Sequence, residues 1–146
     1  MNEFNDTTSL MEQMILDDLK YEEGIKEKER IISYTPKPGN KIIYRYSSEM
    51  GDYIGQTKYS IKKRAGKNGA GYTDNEFDTK WSKAIKRYGI DSFDIEILEE
   101  VPIEKADEKE KYYIAKYNTW RAGFNSTPGG KAYKCGTGDI KRTLLI

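Results

Sequence analysis

Two short β-type runs, each carrying a tyrosine and joined by a turn, constrain the fold of this chain more than any other feature. They read KIIYRY (41–46) and GDYIG (51–55), with SSEM between them. β-Branched and aromatic residues suit a pleated, half-buried strand, and a Ser/Gly/Asp cluster suits a reversal, so the pair is expected to form an antiparallel hairpin. Tyr44 and Tyr53 then lie one on each strand and meet if the register, which turn length sets, allows it. Gly55 is expected to end or bend the second strand. Ser60 then caps a short helix with Ile61, Lys62, Lys63 and Arg64 in its first turn. A phenol and a guanidinium thereby share one junction.

Downstream, AGKNGAGY brings Gly66, Gly69 and Gly71 close together, which predicts a stop to the helix and a flexible loop holding Lys67, Asn68 and Tyr72. That loop is either a simple turn or a place where amides and Lys67 meet a phosphate. Asp78 or Thr79 caps the next helix, with Trp81, Ala84, Ile85 and Tyr88 on its packed face and Lys80, Lys83, Lys86 and Arg87 outside, ending at Gly89. Phe93, Ile95 and Ile97 alternate with acidic residues, predicting a third strand over 92–98. Pro102 opens a helix to about Tyr117. On it Glu110 shares the stripe of Ala106, Tyr113 and Ile114, while Asp107 and Glu108 mostly point elsewhere. A carboxylate on a packed side is costly unless a cation or donors meet it, so Glu110 either pairs with an arginine, sits at the stripe's edge, or works. In the turn-rich stretch after Asn118, with Gly123, Pro128, Gly129 and Gly130, Asn125 either caps backbone groups or reaches a site.

Ahead of the hairpin, residues 1 to 8 are expected to fray. Ser9 and Glu12 form a capping-box pattern, and Leu10, Met11, Met14, Ile15 and Leu19 continue a helix to about Tyr21 or Glu23. Gly24 weakens it, a charged segment from Ile25 to Ile32 resumes it, and Pro36-Lys37-Pro38-Gly39 is an extended linker. The organisation predicted is an acidic helical extension and linker (1–40), one domain (41–130) and a tail (131–146). The apolar stripe of the extension docks on the body, or serves self-association or a partner contact, or its acidic face shields a basic body.

Composition narrows the chemistry. There is no histidine among 146 residues and a single cysteine, Cys135, which excludes disulfide frameworks, Cys/His zinc clusters and histidine triads, so any metal is held by oxygen. No long apolar run or signal pattern is present, and a soluble, cytoplasmic protein with no membrane contact is expected. The net charge of +1 hides an asymmetry. Residues 1–40 carry five Lys/Arg against nine Asp/Glu, or −4, and the remainder twenty against fifteen, or +5. A modestly positive body fits phosphate binding, and equally a solvated surface.

Ile42-Ile43-Tyr44, Tyr53-Ile54-Gly55, Arg64, the run EILEE (96–100), Glu110 in EKYYI and Gly123-Phe124-Asn125 together resemble the motifs of the GIY-YIG nucleases. Each is short, but six in the family's order over residues 41–130 are specific. The resemblance implies an α+β fold, a three-stranded antiparallel sheet flanked by helices, and a Mg²⁺- or Mn²⁺-dependent DNA endonuclease. It implies catalytic roles for Tyr44, Tyr53, Arg64, Glu110 and Asn125, with the metal on Glu110, and DNA contacts from Lys63, Lys67, Asn68 and Tyr72. The run from Ile95 to Asn118 is similar to phage intron-encoded members, so a homing or mobile-element nuclease leads, with a restriction-like or structure-selective one also open. From another class, the chain could be a nucleic-acid- or partner-binding module that has lost cleavage. Two departures stand out: Ile42 replaces the usual Gly, and Asn68 stands where many members have His and some Tyr, leaving that role to Tyr72 or to nobody. A tyrosine ordinarily titrates near ~10, so its use as a general base requires Arg64 and the metal to favour the phenolate.

Overall fold

The computed structural model describes residues 2–74 and 78–129, with side chains from residue 10 onward. The tail beyond 129, with Gly130 and Cys135, lies outside the described residues. The hairpin forms as β1 (Asn40–Ser47) and β2 (Tyr53–Thr57), and β1 is the central strand of an antiparallel sheet ordered β2-β1-β3, with β3 at Asp94–Pro102. The register sets Tyr44 opposite Gly55 and Tyr46 opposite Tyr53. By strand alternation both signature tyrosines therefore face one side of the sheet. Gly55 does not end β2: it lies in mid-strand.

β3 runs four residues beyond the expected Leu98, although Glu99 and Glu100 read as poor strand residues. Their carboxylates are met: Glu99 accepts from the Tyr113 hydroxyl at 2.8 Å, and Glu100 from Asn40 Nδ2 at 2.7 Å, the Lys37 amide at 3.0 Å and the Tyr34 hydroxyl. A bulge between Ile43 and Tyr44 pairs them with Glu99 and Ile97, leaving Leu98 unopposed. Ile97 thus packs against the cluster on one face and Leu98 against the cluster on the other.

Helices cover both faces. On one, Ile42, Tyr44 and Tyr46 pack with Ile61 and Ala65 of α2 (Ile61–Ala65), Tyr72 of α3 (Ala70–Thr73), and Trp81, Ala84 and Ile85 of α4 (Lys80–Tyr88). On the other, Ile43, Ile54 and Val101 pack with Ala106 and Ile114 of α5 (Ile103–Tyr117). The caps are those expected: Ser60 accepts from the Lys63 amide at 3.1 Å and Thr79 from the Ser82 amide at 3.0 Å. Tyr88, expected on the packed face of α4, is 37 % exposed, at the last residue of the helix before Gly89.

The stretch expected as a flexible loop is structured. Gly66 ends α2, residues 67–69 make one 3₁₀ turn, and α3 follows at once. The reason is close packing: a Cβ on Gly71 would stand 2.1 Å from the Arg64 carbonyl oxygen, so only glycine lets α3 lie against the end of α2.

The extension also differs from expectation. One uninterrupted helix, α1, spans Asn2–Ser33, passing the predicted frayed end, Ser9 and Gly24. A single interior glycine costs only about 1 kcal/mol relative to alanine, and local pairs such as Gln13–Asp17 at 2.9 Å and Ser33–Glu29 at 2.9 Å line the helix. Among the described residues only its final turns dock. Ile31 and Ile32 pack on the core, and Lys28 donates to the Phe93 carbonyl at 3.1 Å. Leu10, Met14, Ile15 and Leu19 remain 55–66 % exposed, so the expected docking of that stripe does not occur. The consequence is measurable: Ile32→Ala should lower unfolding free energy by about 1–2 kcal/mol, whereas Leu19→Ala should stay within about 0.5 kcal/mol, both read by urea denaturation. Equal losses would show that the free stretch packs on something.

Candidate active site

Strand alternation at β2 decides what can meet. Tyr53 and Gly55 face α2–α4, whereas Ile54 and Gln56 face α5, and β2 is an edge strand, so side chains from both faces reach one cleft beside it. The cleft holds about 380 Å³ and is lined by Tyr44, Tyr53, Arg64, Tyr72 and Trp81 from one side and by Lys41, Gln56 and Glu110 from the other. Among the described residues no side chain of α1 lines it.

The aromatic wall is built in layers. The Tyr53 ring stacks on Trp81 with centroids 4.5 Å apart and planes 4° from parallel, and Tyr72 meets Tyr53 edge-on at 5.8 Å. The Tyr72 hydroxyl shares a hydrogen bond with that of Tyr44. Arg64 lies with its guanidinium 4.2 Å from the Tyr72 ring centre and donates from Nη1 to the Gly71 carbonyl at 2.9 Å. The glycine-rich turn therefore has a second effect, holding a planar cation at the rim with one bond and one ring.

Glu110 is half-buried, on the stripe expected of it, and accepts from Gln56 Nε2 at 2.9 Å. The same nitrogen donates to Asp107 at 2.9 Å, and Gln56 Oε1 accepts from Lys41 Nζ at 2.9 Å. Asp107, expected to point elsewhere, turns to β2 with Glu110 because residues three apart on a helix are neighbours. Among the described residues no group of three or more acidic, cysteine or histidine side chains gathers for a metal. The oxygen donors present suit a hard cation that keeps most of its waters, such as Mg²⁺, better than a caged ion.

Burial governs the tyrosines. Desolvation pushes Tyr53 up to about 12, the Glu110 charge pushes the same way, and Arg64 pulls it down by less. Tyr44 is likewise raised, by burial and its neighbouring phenols, against the opposing effects of its bond to Tyr72 and of Arg64. The expectation that Arg64 favours the phenolate has the right sign, but burial is larger.

Asn125 is buried and its amide is committed: Oδ1 accepts from the Ile54 amide and Nδ2 donates to the Ile54 carbonyl, each at 2.9 Å. It thus extends the ladder on the open edge of β2 and fixes the strand carrying Tyr53 and Gln56. Of the residues expected to contact DNA, Tyr72 lines the cleft, whereas Lys67 and Asn68 line a different cavity of about 240 Å³ near α1. Lys63 sits over the Tyr59 ring at 4.4 Å. The position four residues after Arg64 is outside the cleft, and Tyr72 is the residue that reaches Tyr44. Sequence reading missed Lys41, Gln56, Asp107 and the lining role of Trp81. Alternation from Tyr53 would have placed Gln56 on the α5 side, and alternation from Ile43 does so for Lys41.

Among the described residues no helix is long and apolar enough to cross a membrane. No family model matches the chain and no curated protein does. A solved structure, the catalytic domain of intron endonuclease I-TevI in a mutant form, matches with a TM-score of 0.50 and 23 % identity, covering 60 % of this chain and 95 % of that one. The α+β architecture, a three-stranded antiparallel sheet between helices, is thus the fold of that nuclease domain, here carrying a long N-terminal helix.

Proposed function

We propose that the protein is a DNA endonuclease of the GIY-YIG type that hydrolyses phosphodiester bonds with Mg²⁺ or Mn²⁺. The observation that carries this reading is the convergence of Tyr53, Arg64 and Glu110 from three separate elements on one cleft. Hydrolysis needs a group to take a proton from water, charge to meet the phosphoryl oxygens, and help for the departing oxygen. Arg64 offers a planar fork to the scissile phosphate. Glu110 would hold the metal, which supplies Lewis acidity toward phosphate and leaving oxygen. Tyr53 is the general base, because it lines the cleft beside Arg64 and Glu110 and part of its elevation comes from the Glu110 charge, which a cation there would neutralise. Asn125 keeps β2 in place, and Tyr72 orders Arg64 and Tyr44. The similarity to an intron endonuclease favours a homing or mobile-element role in the cell.

The test is nicking of supercoiled and branched DNA in Mg²⁺ and in EDTA, beside Glu110→Ala. Cleavage that needs metal and disappears in the variant is the expected result. DNA binding without cleavage by the wild type on any substrate would sink the enzyme and favour a binding module. The pH profile tests the base. Because a general base acts unprotonated and Tyr53 is raised to about 12, single-turnover log rate should climb by about one per pH unit from neutral to mildly alkaline pH. A flat profile would remove the tyrosine from that role.

A further inference from the structure

Gln56 stands between one ammonium and two carboxylates, and each contact is 2.9 Å. Its amide orientation follows from the chemistry of its neighbours. An ammonium only donates, so Lys41 must face the amide oxygen, and ionised carboxylates only accept, so Asp107 and Glu110 must face the NH₂ group. Turning the amide over would set oxygen against two carboxylates and NH₂ against a cation. Lys41 and Gln56 come from neighbouring strands of a packed sheet, whereas Asp107 and Glu110 come from α5, so the amide ties the helix carboxylate to the sheet. Asp107 and Glu110 are also like charges on adjacent positions of one helix face, and the shared NH₂ group offsets their repulsion and limits the rotamers open to Glu110.

We propose that Gln56 is the positioning residue of the metal-binding carboxylate and that Lys41 acts through it, so that the pair sets cation affinity at Glu110. The proposal rests on the reading of Glu110 as metal ligand. Outer partners that orient a ligating carboxylate typically change metal affinity by about 10- to 100-fold. The substitution that isolates the effect is Gln56→Leu, which keeps similar volume and loses all three bonds.

The experiment is Mn²⁺ binding to the full chain, followed by calorimetry and by the paramagnetic signal of the free ion, with urea unfolding as a control for folding. Wild type should bind one Mn²⁺ that Glu110→Ala abolishes. Gln56→Leu should weaken binding by about 10-fold or more. Lys41→Met should weaken it by less, Lys41→Arg should leave it near wild type, and Lys41→Met added to Gln56→Leu should change nothing further, because Lys41 acts only through the amide. Wild-type affinity in Gln56→Leu overturns the proposal, as does a wild type that binds no Mn²⁺. A full additional loss from Lys41→Met in the double variant overturns the role given to Lys41. DNA cleavage on the same preparations separates the two readings. Gln56-dependent Mn²⁺ binding without cleavage leaves the positioning role standing and removes the nuclease, and metal-dependent cleavage with Mn²⁺ affinity unchanged in Gln56→Leu does the reverse.

Discussion

Arg64→Ala is expected to lower single-turnover DNA cleavage by about 10³-fold, equivalent to roughly 4 kcal/mol of transition-state stabilisation, while unfolding free energy changes by no more than about 1 kcal/mol. The two halves have different physical origins. Among the described residues the guanidinium makes one bond, to the Gly71 carbonyl, and one ring contact, to Tyr72. A partly exposed cation–ring contact is worth only about 0.5–1 kcal/mol, so folding depends little on it. In the reaction the same fork faces charge developing on the phosphoryl oxygens at the rim of a half-enclosed cleft, where a fixed donor counts for far more. Arg64→Lys should recover little of the rate. A lysine keeps the charge but has neither the planar group that lies on Tyr72 nor two parallel N–H bonds to offer. Rates and urea curves on the two variants decide the matter. A Lys variant close to wild-type rate would reduce Arg64 to a point charge, and a large loss of stability would make it a structural residue.

The hairpin, the capped helices and the stripe of α5 were legible in the sequence because each is a local pattern: alternation, a cap, a period of 3.6. The paired tyrosines, Arg64 and Glu110 followed from the motif resemblance, and their side chains do line one cleft. What was not legible depends on contacts distant in the chain. β3 continues through Glu99 and Glu100 only because Tyr113 and the linker around Asn40 meet their carboxylates. The loop expected at residues 66–72 is helical because Gly71 is pressed against Arg64, a fact about packing that composition does not carry. Gln56 drew no reading from the sequence, because its bridge between Lys41 and Glu110 exists only once α5 is laid across the sheet. The full length of α1 was hidden for the opposite reason. Its local signals at Ser9 and Gly24 are real but weak, and a long helix absorbs them.

Gly55→Ala is expected to destabilise the fold by about 3 kcal/mol or more, a large share of the roughly 5–15 kcal/mol that holds a domain together. On propensity alone the sign should be opposite, since alanine in a strand interior is favoured over glycine by about 0.5–1 kcal/mol. The register is what reverses it. Gly55 lies directly across from Tyr44, whose ring crosses β2 at that point, and an added Cβ would stand 2.5 Å from both Cζ and the hydroxyl oxygen. The ring is held in place: it is 1 % exposed, edge-on to Tyr46 at 5.8 Å and hydrogen-bonded to Tyr72. The clash is with one side chain, so shrinking that side chain should relieve it. Tyr44→Ala in the Gly55→Ala background should cost much less than the sum of the two single changes, a coupling of at least about 1 kcal/mol in a double-mutant cycle read by urea unfolding. Additive losses would mean that the glycine serves the backbone rather than the tyrosine. Coupling would mean that the glycine of the YIG signature is required by the tyrosine of the first strand, so the two halves of the motif are one packing unit at the wall of the cleft.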